Sequence, residues 1–344
     1  MLMFVGIGAG AVLCFFGFRS VQKITNPLCL VLSDDFDTFD TSKWQREVSL
    51  GGFGNGEFEM TTASDTNLFT RNGQLYIFPT LTSDEIGTDA VLNGRTYNLT
   101  GCTETNNASA CSVRSNSATG VVINPVQSAR ITTQASASIA FGKVEVVAKL
   151  PQGDWLWPAI WMLPKDNVYG TWPLSGEIDI MEARGNGISY PAQGNNFVRS
   201  TLSWGPLPQL IARTFGWQTL KRTTYAQGFH TYTLEWTGSF MRFSVDSLLH
   251  AMLDVKAISK TSFFTRGGFP QTVQNGSTEA AVQDPWQGHS SAAPFDQEFY
   301  LIIDLAVGGT SGWFPDNVGG KMWFDGSDSA FFFLFFWLLG LSRD

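Results

Sequence analysis

A surplus of positive charge is missing from this sequence: 22 Lys and Arg stand against 30 Asp and Glu, giving −8 at neutral pH. A nucleic acid partner would call for a basic patch, so that class is set aside. Charged residues of either sign reach only 15% of the 344 residues, sparse for a cytosolic enzyme. An uncharged polymer such as a polysaccharide is compatible with this balance. Also absent are internal repeats, low-complexity linkers and, from Leu30 onward, any long stretch of helical period. One domain is therefore expected over residues 26–329.

What replaces helical patterning is a series of short runs rich in β-branched and aromatic residues, such as Gln74–Phe78, His230–Trp236 and Phe299–Ile303. Gly142–Leu150 alternates polar and apolar, as a half-buried strand does. Many short strands separated by Gly, Asn, Asp, Ser and Pro clusters predict an all-β sandwich or barrel.

Cysteine is scarce as well, with four in the chain. Cys102 and Cys111 flank a polar loop and read as a local disulfide, two free thiols being the other reading. Three N-x-S/T sequons, at Asn98, Asn107 and Asn275, join that pair in pointing to the secretory pathway. Residues 1–18 are uncharged and mostly apolar, which suits a membrane anchor or a cleaved signal. Arg19 and Lys23 follow this segment and nothing basic precedes it, so charge alone would keep the downstream side cytoplasmic. The sequons and the cysteine pair outweigh that, and an extracellular or lumenal domain is expected, membrane-anchored or secreted. A second apolar run, 330–341, is too short to span a bilayer and reads as a buried strand or an aggregation-prone tail.

The chemistry concentrates in Glu177-Ile178-Asp179-Ile180-Met181-Glu182. Three carboxylates among core-like residues cost desolvation energy, a cost that usually marks a functional site. On a regular strand Glu177 and Asp179 share a face and Glu182 points the other way. A bulge at Ile180-Met181 would return Glu182 to the first face. The two glutamates would then stand four pleat steps apart, roughly 13 Å between Cα atoms. On a concave strand their carboxyls can approach ~5–5.5 Å, the spacing of a retaining glycosidase. One glutamate would attack the anomeric carbon, the other would serve as acid and base, and Asp179 would tune them. An acidic sheet edge and a calcium site are the other readings of this strand. Upstream, Trp155, Trp157 and Trp161 would share one strand face and stack on sugar rings, a buried core role being the alternative for each.

These residues resemble glycoside hydrolase family 16, in its laminarinase-like branch with the bulged ExDxxE motif, and within it fungal membrane-anchored members. The resemblance is carried by GEIDIMEARGN (176–186), WPAIWMLP (157–164), GGFGNGEFE (51–59), FGKVEVVAKLP (141–151), FHTYTLEWT (229–237) and PFDQEFYLIIDLAVGG (294–309). It implies a β-jelly-roll sandwich of two curved antiparallel sheets, of the concanavalin A-like lectin/glucanase kind, with the substrate cleft on the concave face. It implies Glu177 as nucleophile, Glu182 as acid/base and Asp179 assisting. Trp157 and Trp161 would line the subsites beside the cleavage point, Asn55 and Arg130 the glycone side, and Gln297 the cleft wall. His230 matches a family strand, with a structural role as the other reading.

No cofactor is implied for catalysis; a calcium ion, where bound, would be structural, with ligands unassigned. The expected partner is β-glucan, met by a monomer. Three departures stand out. Ser203 occupies a position where relatives carry His, Asp304 replaces a usual Asn, and the resemblance ends at Ser329. Relatives continue there with a closing strand, so a misread exon boundary and an unpaired sheet edge are expected. The implied activity is endo-cleavage of β-1,3 or mixed β-1,3/1,4-glucan by double displacement. Transglycosylation and non-catalytic glucan binding are the alternatives; agar and carrageenan are disfavoured because no basic cluster for sulfate accompanies the motif.

Overall fold

The computed structural model of the chain describes residues 2–275, 278–327, 330, 331 and 334. Two antiparallel sheets pack face to face. The larger is eight-stranded and runs, from one edge to the other, Gln45–Glu47, Arg130–Thr132, Phe299–Val307, Leu156–Pro164, Glu177–Glu182, Phe197–Leu207 and Leu210–Thr219, with Ser138–Ile139 pairing on Phe299–Val307. The smaller orders Gly142–Ala148, His230–Trp236, Met241–Val245 and Ala251–Val255.

Alternation explains the packing. Ile178, Val198, Leu202 and Trp204 of the large sheet meet Tyr232, Leu234, Trp236, Phe243 and Val245 of the small one in a single buried cluster. Each such side chain taken from water contributes about 1.5–3 kcal/mol. In Gly142–Ala148 the expected alternation is present, with Val144, Val146 and Ala148 inward and Lys143, Glu145 and Val147 exposed. The sequence-based expectation of a β-sandwich therefore holds. One pair departs from antiparallel order, since Glu59–Thr61 runs parallel to Val126–Ser128. Beyond residue 30 the α-helices among the described residues are five-residue turns, such as Thr82–Ile86 and Thr88–Leu92.

Cys102 and Cys111 are disulfide-bonded, their Cα atoms 5.6 Å apart. Asn98 and Asn107 are exposed. The N-terminal helix Leu2–Arg19 shows exposed apolar side chains along its length. Among the described residues no helix is long and apolar enough to cross a membrane.

The apolar tail takes a different form from the expected strand. Ala330, Phe331 and Leu334 have helical backbone; Ala330 and Leu334 are buried and Phe331 lies 4.8 Å from the Phe58 ring. They close an aromatic cluster of Phe58, Trp155, Phe314 and Trp323. The rest of 330–344 lies outside the described residues.

Candidate active site

The Glu177–Glu182 strand carries a bulge where the sequence calls for one. Against Leu156–Pro164, Met181 pairs with Ile160 and Asp179 with Trp161, so Ile180 has no partner. On the other side Asp179 faces Thr201 and Glu182 faces Arg199, leaving Ser200 alone opposite Ile180 and Met181. Ile178, Ile180 and Met181 all enter the core. Glu177, Asp179 and Glu182 are thereby left on the opposite, acid-bearing face. Ser200 stabilises the irregularity, donating from Oγ to the Ile180 carbonyl at 2.6 Å.

Neighbouring strands fill the face on both sides of the acids. Trp157 donates from Nε1 to Glu182 Oε1 at 3.2 Å and stacks on Trp313, 4.8 Å between centroids. Trp161 donates to Asp304 Oδ1 at 2.6 Å. Beyond it the buried Arg130 guanidinium lies between the Phe53 ring, at 4.0 Å, and Trp161, at 4.7 Å, and pairs with Glu47. Asn55 donates to Glu57 Oε1 at 2.9 Å, and Glu57 lies in the field of Arg130. Trp157 and Trp161 on the neighbouring strand and Arg130 two strands beyond it form one flank, with Asn55 held at the loop that follows Phe299–Val307.

The second flank belongs to Phe197–Leu207. Thr201 donates from Oγ1 to Glu182 Oε2 at 3.3 Å and accepts from Arg199 Nε at 3.2 Å. Ser203 is buried directly opposite Glu177 in the register, and Arg213 follows on the next strand. The Trp172 indole lies beside Glu177 and favours its ionised form.

Burial raises the proton affinity of all three acids. Glu177 is pushed up to about 7 by desolvation and by the charge of Glu182, against the pull of Arg213 and Trp172. Asp179 lies well above the ordinary aspartate value, again through desolvation, then through both glutamates. Glu182 is raised by desolvation, offset by Arg199, Trp157 and Thr201. Asp304 rises to about 7 because burial outweighs Arg130. Desolvation and mutual repulsion thus favour proton sharing among the three acids, with Asp179 biased most strongly toward its neutral form.

Three expectations need correcting. Gln297 does not face the acids. Its Oε1 accepts from Val168 N at 3.0 Å and its Nε2 donates to the Ser175 and Pro294 carbonyls at 3.2 and 2.9 Å, so it pins loops. Trp155 is 1% exposed in the aromatic core, because its φ of 68° breaks the alternation that would have aligned it with Trp157. A basic group does accompany the motif: Arg199 and Arg213 lie near the acids and Arg184 stands 4.2 Å from the Trp313 ring. His230 lies on the small sheet, paired with Asp246 at 2.8 Å, which fits its structural reading. Among the described residues no cluster of His, Cys, Asp and Glu suits a metal ion.

Residues outside the expected set also contribute. Arg199, Thr201 and Ser203 alternate along their strand with Val198, Ser200 and Leu202; Val198 and Leu202 enter the core, which puts the first three on the face of the acids. Trp172 and Trp313 arrive from irregular segments and carry no periodic signal.

Comparison with known proteins agrees with this geometry. A family profile described as glycosyl hydrolases family 16 matches residues 98–296. The chain is 39% identical over 325 residues to a protein of Penaeus monodon named beta-1,3-glucan-binding protein, covering 92% of this chain and 83% of that one. It is 31% identical over 290 residues to glucan endo-1,3-beta-glucosidase A1 of Niallia circulans, covering 81% of this chain but 34% of the much longer bacterial protein. Among solved structures, the laminarinase of Rhodothermus marinus superposes with a TM-score of 0.54 at 29% identity, over 82% of this chain and 87% of that one.

Proposed function

Because this chain belongs to glycosyl hydrolases family 16, we propose that it is a retaining, endo-acting β-1,3-glucanase with Glu177 as nucleophile and Glu182 as acid/base. The observation that carries this reading is the bulge, which sends Ile178, Ile180 and Met181 into the core and leaves three acids on one face. A protein that only bound glucan would gain nothing from three desolvated carboxyls.

In the first step Glu177 attacks the anomeric carbon and forms a glycosyl ester, while Glu182 gives its proton to the departing oxygen. In the second, Glu182 takes a proton from water, and the resulting hydroxide equivalent displaces Glu177 with a second inversion. The Thr201 hydroxyl suits both stages, donating to an ionised Glu182 and accepting from a protonated one. Asp179, biased toward its neutral form between the glutamates, would remove one like charge and ease the ionisation of Glu177. These steps use the chain's own carboxyls and call for no cofactor. A sugar hydroxyl in place of water would give transglycosylation on the same intermediate.

One observation favours a second reading, binding without turnover: the 39% identity to a protein named for glucan binding. The intact protein incubated with laminarin, lichenan and pustulan, with products followed by size, separates the two. Progressive shortening of laminarin supports the enzyme; saturable binding with no shortening supports the binder. We further place the protein in the secretory pathway, a reading supported by the disulfide and by exposed Asn98 and Asn107. Glycosidase-induced mass shifts on material from eukaryotic expression would test it.

A further inference from the structure

The large sheet ends in the strand Leu210–Thr219, whose outward residues are of an unexpected kind. Phe215 and Trp217 are 49% and 47% exposed, on the same face, with ring centroids 6.2 Å apart and planes 28° from parallel. The register fixes which face this is. Phe215 lies opposite Thr201, the residue that bonds Glu182, and Trp217 lies opposite Arg199. The Arg199 guanidinium confirms it, standing 4.3 Å from the Phe215 ring and 5.2 Å from Trp313. Trp313 in turn stacks on Trp157, which bonds Glu182. A continuous chain of contacts thus joins the exposed pair to the acid/base.

The pair is also held in place from behind. Gly216 points toward the small sheet, and a Cβ there would fall 1.8 Å from the Met252 carbonyl oxygen. Only glycine allows this strand to settle so closely. Gln218 Nε2 adds a bond of 2.7 Å to the Ala251 carbonyl. Phe215 and Trp217 bracket this anchored point.

We propose that Phe215 and Trp217, braced by Arg199, form a sugar-stacking platform for the aglycone side of a β-glucan chain, about two residues beyond the scissile bond. The inference rests on the catalytic reading above for its direction. Arg130 and Asn55 occupy one flank of the acids and this pair occupies the other. Neighbouring strands lie about 4.8 Å apart, so the pair sits about 10 Å past the carboxylate strand, a reach of two pyranose rings. Indole and phenyl faces take the apolar C–H face of a pyranose, and an indole N–H can reach a hydroxyl. Such a platform would hold the leaving segment in hydrolysis and an incoming acceptor in transglycosylation.

The test compares Phe215→Ala/Trp217→Ala with the parent protein on two substrates. Laminarihexaose reaches the platform; 4-nitrophenyl β-laminaribioside, whose leaving group is one aryl ring, does not. The double variant should lose roughly tenfold or more in kcat/KM on the hexasaccharide, the equivalent of about 1.4 kcal/mol of contact, with less than about twofold change on the aryl substrate. Trp217→Tyr should restore most of the loss. Equal losses on both substrates, or none on either, would overturn the proposal. A second arm measures laminarihexaose binding calorimetrically in a Glu182→Gln background. Should the parent turn over neither substrate, the catalytic reading fails alone: roughly tenfold weaker binding by the Trp217→Ala chain still supports the platform, and unchanged binding overturns it. A variant that changes oligomeric state while its sugar binding stays intact would assign the pair to edge-to-edge association, and overturn the platform as well.

Discussion

The indole N–H of Trp157 reaches Oε1 of Glu182 across 3.2 Å while the same ring lies flat on Trp313. One side chain thus combines a packing role with control of the acid/base. Trp157→Phe keeps the stack and removes the donor. Because that donor favours the ionised carboxyl, its loss moves Glu182 upward, and the basic limb of the pH–rate profile shifts to higher pH. Thermal stability should fall by about 1 kcal/mol, the net value of an ordinary hydrogen bond. A profile that stays in place would separate Trp157 from the proton step.

Deleting Ile180 removes the unpaired residue of the bulge. The strand then reads Glu-Ile-Asp-Met-Glu, whose plain alternation keeps all three acids on one face and Ile178 and Met181 in the core without a bulge. Turnover should survive, while stability should fall by about 2–5 kcal/mol through loss of the buried Ile180 side chain. Ile180→Val leaves the register alone and should cost about 0.5–1.5 kcal/mol with turnover preserved. Loss of all turnover in a folded deletion chain would show that the bend of the bulge, beyond the facing of the acids, sets the carboxyl geometry.

Glu177 titrates at about 7 in the folded chain against 4.5 for an ordinary glutamate. Between those values the folded state keeps a proton that the unfolded state releases, so its contribution to stability is fullest below pH 4.5 and is lost as pH rises through about 7. Glu177→Gln removes this loss. The variant's melting temperature relative to the parent should therefore be higher at pH 8 than at pH 5. A difference that does not change with pH would remove the argument for a desolvated Glu177.

Arg130 is buried with Glu47, Asp304 and Glu57 around it. Arg130→Met preserves length but leaves those acids without their cation, a change that costs about 3–5 kcal/mol in comparable buried sites. The penalty should be largest at pH 8 and smaller at pH 5, where Asp304, raised to about 7, takes up a proton and Glu57, also raised, is biased toward its neutral form. Chemical denaturation at the two pH values measures it. An equal penalty at both would mean that Arg130 contributes by packing between Phe53 and Trp161 alone.

What the sequence discloses about this site depends on whether a residue obeys a local rule. Glu177, Asp179 and Glu182 alternate with Ile and Met, so their face, and the bulge that unites them, follow from strand periodicity alone. Arg199, Thr201, Phe215 and Trp217 obey the same period on the next two strands. Trp155 misleads because a single positive φ takes it out of the alternation, and no neighbour in sequence announces that angle. Gln297 misleads differently: a buried amide looks like a sugar ligand until its backbone partners at Val168, Ser175 and Pro294 are visible. Trp172 and Trp313 are brought in by loops, and their distance from Glu177 and Glu182 exists only in the fold. The helical backbone at Ala330 and Leu334 follows from aromatic packing against Phe58 and Trp323, which strand-like composition did not foretell.

The most direct test of the account follows the anomeric configuration of the first product released from laminarin, by proton NMR, for the parent chain and for Glu177→Gln. The parent should release the β-anomer first, before mutarotation, and the variant should lose turnover on the order of a thousandfold or more. Initial release of the α-anomer, or undiminished product from Glu177→Gln, would contradict it.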